Sequence, residues 1–140
     1  MSDYAGDLTP LEAWEFLKAN PEAVLVDIRN QAEWRYVGMP DLADLGGRVE
    51  FIEWTTYPDG DPNPTFLDEL EAAGLGRGSG KSILFICRAA HRSVDASIAA
   101  TAAGFGPCYN VLDGFEGPID DDGHRGAVGW RAAGLPWYNQ

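Results

Sequence analysis

Residues 82–104 constrain the fold of this chain more than any other segment. Ser82-Ile83-Leu84-Phe85-Ile86 is a short apolar run of the kind that forms a fully buried strand. From Ser93 to Ala103 the residues are small and helix-compatible, and Gly104 supplies a C′ stop. Between strand and helix lies Cys87-Arg88-Ala89-Ala90-His91-Arg92-Ser93, a cationic loop headed by a cysteine. A thiol at the C-terminal end of a strand, just before a helix, faces several unpaired backbone N–H groups. Those groups, the helix dipole and the arginines all favour thiolate, and such settings lower a cysteine pKa from about 8.5 to roughly 3.5–7.5. The competing reading makes Cys87 a buried small hydrophobe, but that role has no use for Arg88, His91 and Arg92 behind it.

The remaining sequence repeats the alternation. Thr9-Pro10-Leu11-Glu12 reads as a capping box with proline at N1. It opens a helix with Leu11, Trp14 and Leu17 at helical spacing, ending near Asn20-Pro21. Val24 to Ile28 is a buried strand, and Asn30 with Glu33 marks a second, short capped helix through Trp34. Val49 to Trp54 alternates as a strand, residues 58–64 form a loop by composition, and a helix from about Thr65 to Ala73 ends at Gly74. Cys108 to Leu112 is the last clear strand, and the apolar residues near the C-terminus are expected to pack on the body. Strands alternating with helices imply an α/β fold: a central parallel β-sheet flanked by helices on both faces. Ligands of such sheets bind outside the strand C-termini, where Asp27, Cys87 and Asp113 all fall.

With 140 residues and 45% hydrophobic content the chain reads as one domain over residues 1–140. A net charge of −12 and the lack of a basic stripe speak against nucleic acid and against an anionic membrane surface. Neither a signal segment nor a membrane-length apolar run is visible, so a cytoplasmic location is expected. Two cysteines, Cys87 and Cys108, are too few for a disulfide framework or a zinc site, so no metal is expected, and a reducing compartment keeps a reactive thiol available.

Four motifs in order resemble the rhodanese family of sulfurtransferases. Val24-Leu25-Val26-Asp27-Ile28-Arg29 with Glu33-Trp34 is similar to the family's first signature, and Cys87 to Ser93 to its active-site loop. Leu112-Asp113-Gly114-Phe115 and the Trp130…Gly134-Leu135-Pro136 segment resemble its closing signatures. The chain departs at Gly38-Met39-Pro40, where the family has Gly-His-Ile, and at Gly114-Phe115, where two glycines are common. The resemblance implies a single rhodanese-like domain in which Cys87 accepts sulfane sulfur and holds it as a persulfide, without a cofactor. The implied partners are a small anionic sulfur donor such as thiosulfate and a thiol, protein or cyanide acceptor. Sulfur exchange needs an exposed thiolate, with backbone N–H groups from Arg88 to Ser93 stabilising the anionic groups. Arg88 and Arg92 are candidates to bind the donor's charged end, and Arg92 has the alternative of folding back to fix the loop. His91 is either a tuner of the local field or a solvent-facing spectator.

Other features carry structural readings. Asp27, Arg29 and Glu33 read as a strand-end polar cluster with a local Arg29–Glu33 pair, and Cys108 as core or else a resolving cysteine. Asp120-Asp121-Asp122 reads as a solvated loop, and the tryptophans as core, with Trp34 or Trp54 able to line a pocket. Residues 76–82 fail as a phosphate-binding loop because Leu75 stands where the first glycine belongs and a strand follows. A rival enzyme class is a cysteine-dependent phosphatase or arsenate reductase. Phosphatases of that type place five residues between cysteine and arginine, and here Arg88, Ala89, Ala90 and His91 make four. A non-catalytic binding module, or a relay passing sulfur to a protein, is the rival from a different class.

Overall fold

The computed structural model describes residues 3–56, 58–89, 91–119 and 121–139. The elements in chain order are β1 (Gly6–Leu8), α1 (Pro10–Ala19), β2 (Val24–Asp27), α2 (Gln31–Tyr36), β3 (Met39–Pro40), β4 (Arg48–Phe51), α3 (Phe66–Ala72), β5 (Ile83–Ile86), α4 (His91–Ala102), β6 (Cys108–Val111) and β7 (Trp137–Tyr138). Five strands form one sheet in the order β1-β6-β5-β2-β4, and β3 pairs with β7 in a separate ribbon. All pairings within the large sheet are parallel.

Strand alternation divides the core into two layers. Val24, Val26, Ile83 and Phe85 face Phe66, Leu70, Ala96 and Ala100 of α3 and α4. Leu25, Leu84, Ile86 and Val111 face Ala13 and Leu17 of α1, together with Phe115, Trp130 and Leu135 from the C-terminal segment. Helices therefore lie on both faces, but one face relies on a single long helix plus irregular chain. Trp130, fully buried, closes that layer and donates its indole N–H to the Pro136 carbonyl at 2.8 Å.

Local chemistry sets the element ends. The Thr9 capping box forms: the Glu12 N–H donates to Thr9 Oγ1 at 3.1 Å, and the Thr9 N–H donates to Glu12 Oε1 at 2.9 Å. The buried stripe of α1 is Pro10, Ala13 and Leu17, and Leu11 points outward, so the helix buries a narrower face than the spacing suggested. The strand expected over 49–54 ends at Phe51, where the chain bends toward a β-bridge between Thr55 and Pro62. The largest difference is at α4, which begins at His91 and not Ser93. His91 and Arg92 thus belong to the first helical turn, and the loop proper is shorter than the Cys87–Ser93 motif.

After β4 the chain returns past β2 to form β5, so β2 and β5 are neighbours whose continuations diverge. Open α/β sheets bind ligands at such a switch point, outside the carboxyl ends. Cys87 follows the last residue of β5 at that crevice.

Candidate functional site

The loop leaving β5 is held at its base by the segment that follows β6. The Cys87 carbonyl accepts from the Phe115 N–H at 2.7 Å, and the Arg88 carbonyl accepts from the N–H groups of Glu116 and Gly117 at 3.1 Å each. Asp113 and Gly114 both take positive φ, near 63°, to bring this segment across the loop. A side chain at Gly114 would collide with the Cys87 carbonyl and the Arg88 backbone, so the position needs glycine for space as well as for φ.

Cys87 is only 1% exposed. The expected exposed thiol is instead enclosed, with Ser93 of α4 against the sulfur. The Ser93 N–H donates toward Cys87 Sγ at 3.4 Å, and Ser93 Oγ lies 3.2 Å from the same sulfur. Ser93 Oγ in turn donates to Asn110 Oδ1 at 2.5 Å, and Asn110 Nδ2 donates to Asp7 Oδ1 at 3.0 Å. A polar thread therefore runs from β1 through β6 to the sulfur.

The two arginines of the motif part company. Arg92 folds back onto Glu33, donating from Nη1 to Oε1 at 2.8 Å and from Nη2 to Oε2 at 2.9 Å. Glu33 also completes the cap of α2, accepting from the Asn30 N–H at 3.2 Å while its own N–H donates to Asn30 Oδ1 at 3.0 Å. One carboxylate thus ties the start of α2 to the start of α4. Burial alone would push the Glu33 pKa up, but the Arg92 guanidinium outweighs it and holds Glu33 below the usual carboxylate range. Arg92 moves the other way: burial opposes its charge, and Glu33 with the nearby Cys87 and Asp27 raises its pKa. Arg88 remains near the surface with its Nε 2.5 Å from Glu116 Oε2, an ion pair outside hydrogen-bond geometry. Ala89 is half-buried, His91 is exposed, and Ala90 lies outside the described residues.

The expected Arg29–Glu33 pair does not form. Arg29 donates to both oxygens of Asp27, with Nη2 to Oδ2 at 2.7 Å, and both side chains are fully buried. Nη2 also donates to the Gly38 carbonyl at 2.7 Å, and the guanidinium lies 4.2 Å from the centre of the Phe115 ring. Arg29 therefore pins the end of β2, the turn at Gly38 and the C-terminal segment together. Cys108 sits in the core at the other end of the sheet, and neither cysteine is in a disulfide. Trp54 packs edge-on against Phe66 at the core, whereas Trp34 packs edge-on against Phe51 and lines a surface pocket with it, together with Met39 and Tyr138.

Residues 9–118 match the rhodanese-like domain family, including both ends of this arrangement from the Thr9 cap to Gly117. The chain belongs to that family. Among relatives, an uncharacterized protein from Rickettsia conorii is 35% identical over 128 residues, covering 90% of this chain and 91% of its own length. Among solved structures, Rv0390 from M. tuberculosis is 55% identical with a TM-score of 0.89, covering 98% of this chain and 99% of that one. A homodimeric polysulfide-sulfur transferase from Wolinella succinogenes shares the fold at 24% identity and a TM-score of 0.61, over 99% of this chain and 80% of that one.

Within this rhodanese-like site, sequence reasoning singled out the loop residues but missed Asn110, Asp7 and Glu116. Asn110 carried a usable signal, since it is the one amide in the strand Cys108-Tyr109-Asn110-Val111. Glu116 and Asp7 carried none, because an acidic residue in a chain of this charge reads as a solvated surface.

Proposed function

We propose that the protein is a sulfurtransferase that carries sulfane sulfur as a persulfide on Cys87. The observation that supports this most is the aim of the first-turn N–H of a 12-residue helix at the Cys87 sulfur, at the carboxyl edge of the central strand. That placement favours an anionic sulfur and stabilises a persulfide equally. The neighbouring fold of a polysulfide-sulfur transferase supports the same chemistry.

The step balances without a redox partner. Cys87 thiolate attacks the outer sulfur of thiosulfate, the S–S bond breaks, and sulfite leaves with the electron pair. The outer sulfur stays on Cys87 as a persulfide anion. A thiolate, a protein thiol or cyanide then attacks that sulfur and releases Cys87 as thiolate. In this reading Arg88 meets the donor's anionic end, Arg92 fixes the loop through Glu33, and the Ser93 N–H faces the transferred sulfur. The chain acts as one domain in a reducing, cytoplasmic setting, with a small sulfur donor and a thiol or protein acceptor as partners.

Intact-mass spectrometry after exposure to thiosulfate or polysulfide tests this. One added sulfur, removable by cyanide, is expected. Four residues between Cys87 and Arg92, one fewer than phosphatases of that type carry, suit a single sulfur better than a tetrahedral phosphoryl group. Aryl phosphate hydrolysis should accordingly be negligible, and a Cys87-dependent phosphatase rate above the sulfur-transfer rate would replace this reading with the phosphatase one.

A further inference from the structure

The polar thread behind Cys87 can be read proton by proton. An ionised carboxylate only accepts hydrogen bonds, and Asp7 Oδ1 takes two: from the Tyr4 hydroxyl at 2.8 Å and from Asn110 Nδ2 at 3.0 Å. This fixes the Asn110 amide with its nitrogen toward Asp7, leaving Oδ1 toward Ser93. An amide oxygen also only accepts, so the Ser93 hydroxyl, 2.5 Å away, must donate to it. A hydroxyl has one proton. Toward Cys87 Sγ, 3.2 Å away, Ser93 Oγ therefore presents lone pairs. That contact is attractive when the sulfur carries a proton and repulsive when it is a thiolate. The Ser93 backbone cannot swing to relieve it, because its carbonyl accepts from the Ser97 hydroxyl at 2.7 Å.

We propose that Asn110, oriented by Asp7, is a positioning residue that turns the Ser93 hydroxyl away from Cys87 and so holds the resting sulfur in its thiol form. The first-turn N–H of α4 favours thiolate and the hydroxyl opposes it. Ionisation of Cys87, or arrival of an anionic persulfide sulfur, requires the hydroxyl to leave Asn110 and donate to sulfur. The other groups facing the sulfur's surroundings are Arg92 and His91 on α4, Glu33 on α2, the Asp27–Arg29 pair at the end of β2, and Arg88 with Glu116 at the loop's base. None of them is bonded to the Ser93 hydroxyl, so the thread can be altered while they stay in place.

The test is the thiolate ultraviolet absorbance titrated against pH, taken as each variant minus the same variant carrying Cys87→Ser. It uses no sulfur donor, so it stands apart from whether the protein transfers sulfur. Asn110→Leu removes the acceptor and should lower the Cys87 midpoint by about one to two pH units, the size of one hydrogen bond to a charged group. Asp7→Ala, at an exposed strand position, should shift it the same way by a smaller amount and covers the case in which Asn110→Leu fails to fold. In a Ser93→Ala background both shifts should vanish, which a purely structural or purely Coulombic effect would not do. An unmoved midpoint in a folded Asn110→Leu or Asp7→Ala variant, or a shift that survives Ser93→Ala, overturns the proposal.

Discussion

Cys87 and Cys108 occupy the same core layer and are equally buried, each 1% exposed. Their strands, β5 and β6, run side by side, yet Cys108 opens its strand and Cys87 follows the end of its own. That difference in strand end decides which backbone groups each sulfur meets. At the amino edge Cys108 meets an acceptor, the Phe105 carbonyl at 3.6 Å, and burial pushes its thiol pKa up. At the carboxyl edge Cys87 meets a donor, the Ser93 N–H. Burial is common to both, so burial cannot be what separates the two thiols. The direction in which backbone dipoles point at the sulfur is what separates them.

Exchanging the two cysteines breaks the comparison most severely. Cys87→Ser should abolish sulfur loading from thiosulfate and from polysulfide, whereas Cys108→Ser should load one sulfur as the wild type does. Intact-mass spectrometry with and without cyanide distinguishes them. Loading that survives Cys87→Ser and disappears with Cys108→Ser would reverse the roles.

The next effect sharpens what holds the carboxyl edge in shape. Glu33→Gln should leave Arg92 half-buried without its carboxylate, lowering stability by about 2 kcal/mol as lost hydrogen bonds between charged groups do. The pH dependence follows from the direction of the Glu33 shift. Its folded pKa lies below the ordinary value of 4.5, so its stabilisation is complete above that value and is lost as pH falls through the lower, folded pKa. Denaturant melts of wild type and Glu33→Gln should therefore differ at neutral pH and converge in acid. A constant gap across that range would show that the carboxylate's charge is not what ties α2 to α4. No such change is expected from any carboxylate near Cys108.

Much of this architecture was legible in the residues. Val24–Asp27 and Ile83–Ile86 are apolar at every position but the last of β2, which only a strand covered on both sides can be, and their capped helices were visible at Thr9 and Asn30. Strands of two or three residues, such as β1, β3 and β7, were not legible, since Gly6-Asp7-Leu8 has no periodicity and is a strand only because β6 pairs with it. The loop could be assigned from Cys87, Arg88 and Arg92, but not the partners of its charges. Glu33 and Arg92 are far apart in sequence, and nothing local tells an arginine which of many carboxylates it will meet. Asp27 took Arg29 because the turn after β2 brings the guanidinium back over the strand end, where the short link between them outcompetes Glu33.

The smallest expected effect concerns how much positive charge the carboxyl edge offers a donor. The sequence offers two arginines as candidates to bind the donor, with folding back as the alternative for Arg92; in the structure Arg92 is committed to Glu33 and Arg88 lies against Glu116. Arg88 is the more available of the two, with a side chain 42% exposed against 26% for Arg92. A dianionic donor such as thiosulfate must draw Arg88 away from Glu116 and sit beside that carboxylate. Arg88→Ala should thus reduce kcat/KM for thiosulfate by about tenfold, corresponding to about 1.4 kcal/mol, while an organic persulfide of lower charge loses less. Glu116→Gln should act in the opposite sense, raising the thiosulfate rate severalfold and leaving the persulfide rate nearly unchanged. Added salt should shrink the difference, since exposed charges are screened over about 10 Å at 0.1 M ionic strength. Steady-state kinetics of the two variants with both donors, at low and high salt, measure this. An equal loss for both donors in Arg88→Ala would mean that the arginine shapes the loop over Cys87. A Glu116→Gln variant slower with thiosulfate would mean that the pair acts as a structural clasp, and the carboxyl edge would then owe its anion preference to the α4 N–H groups alone.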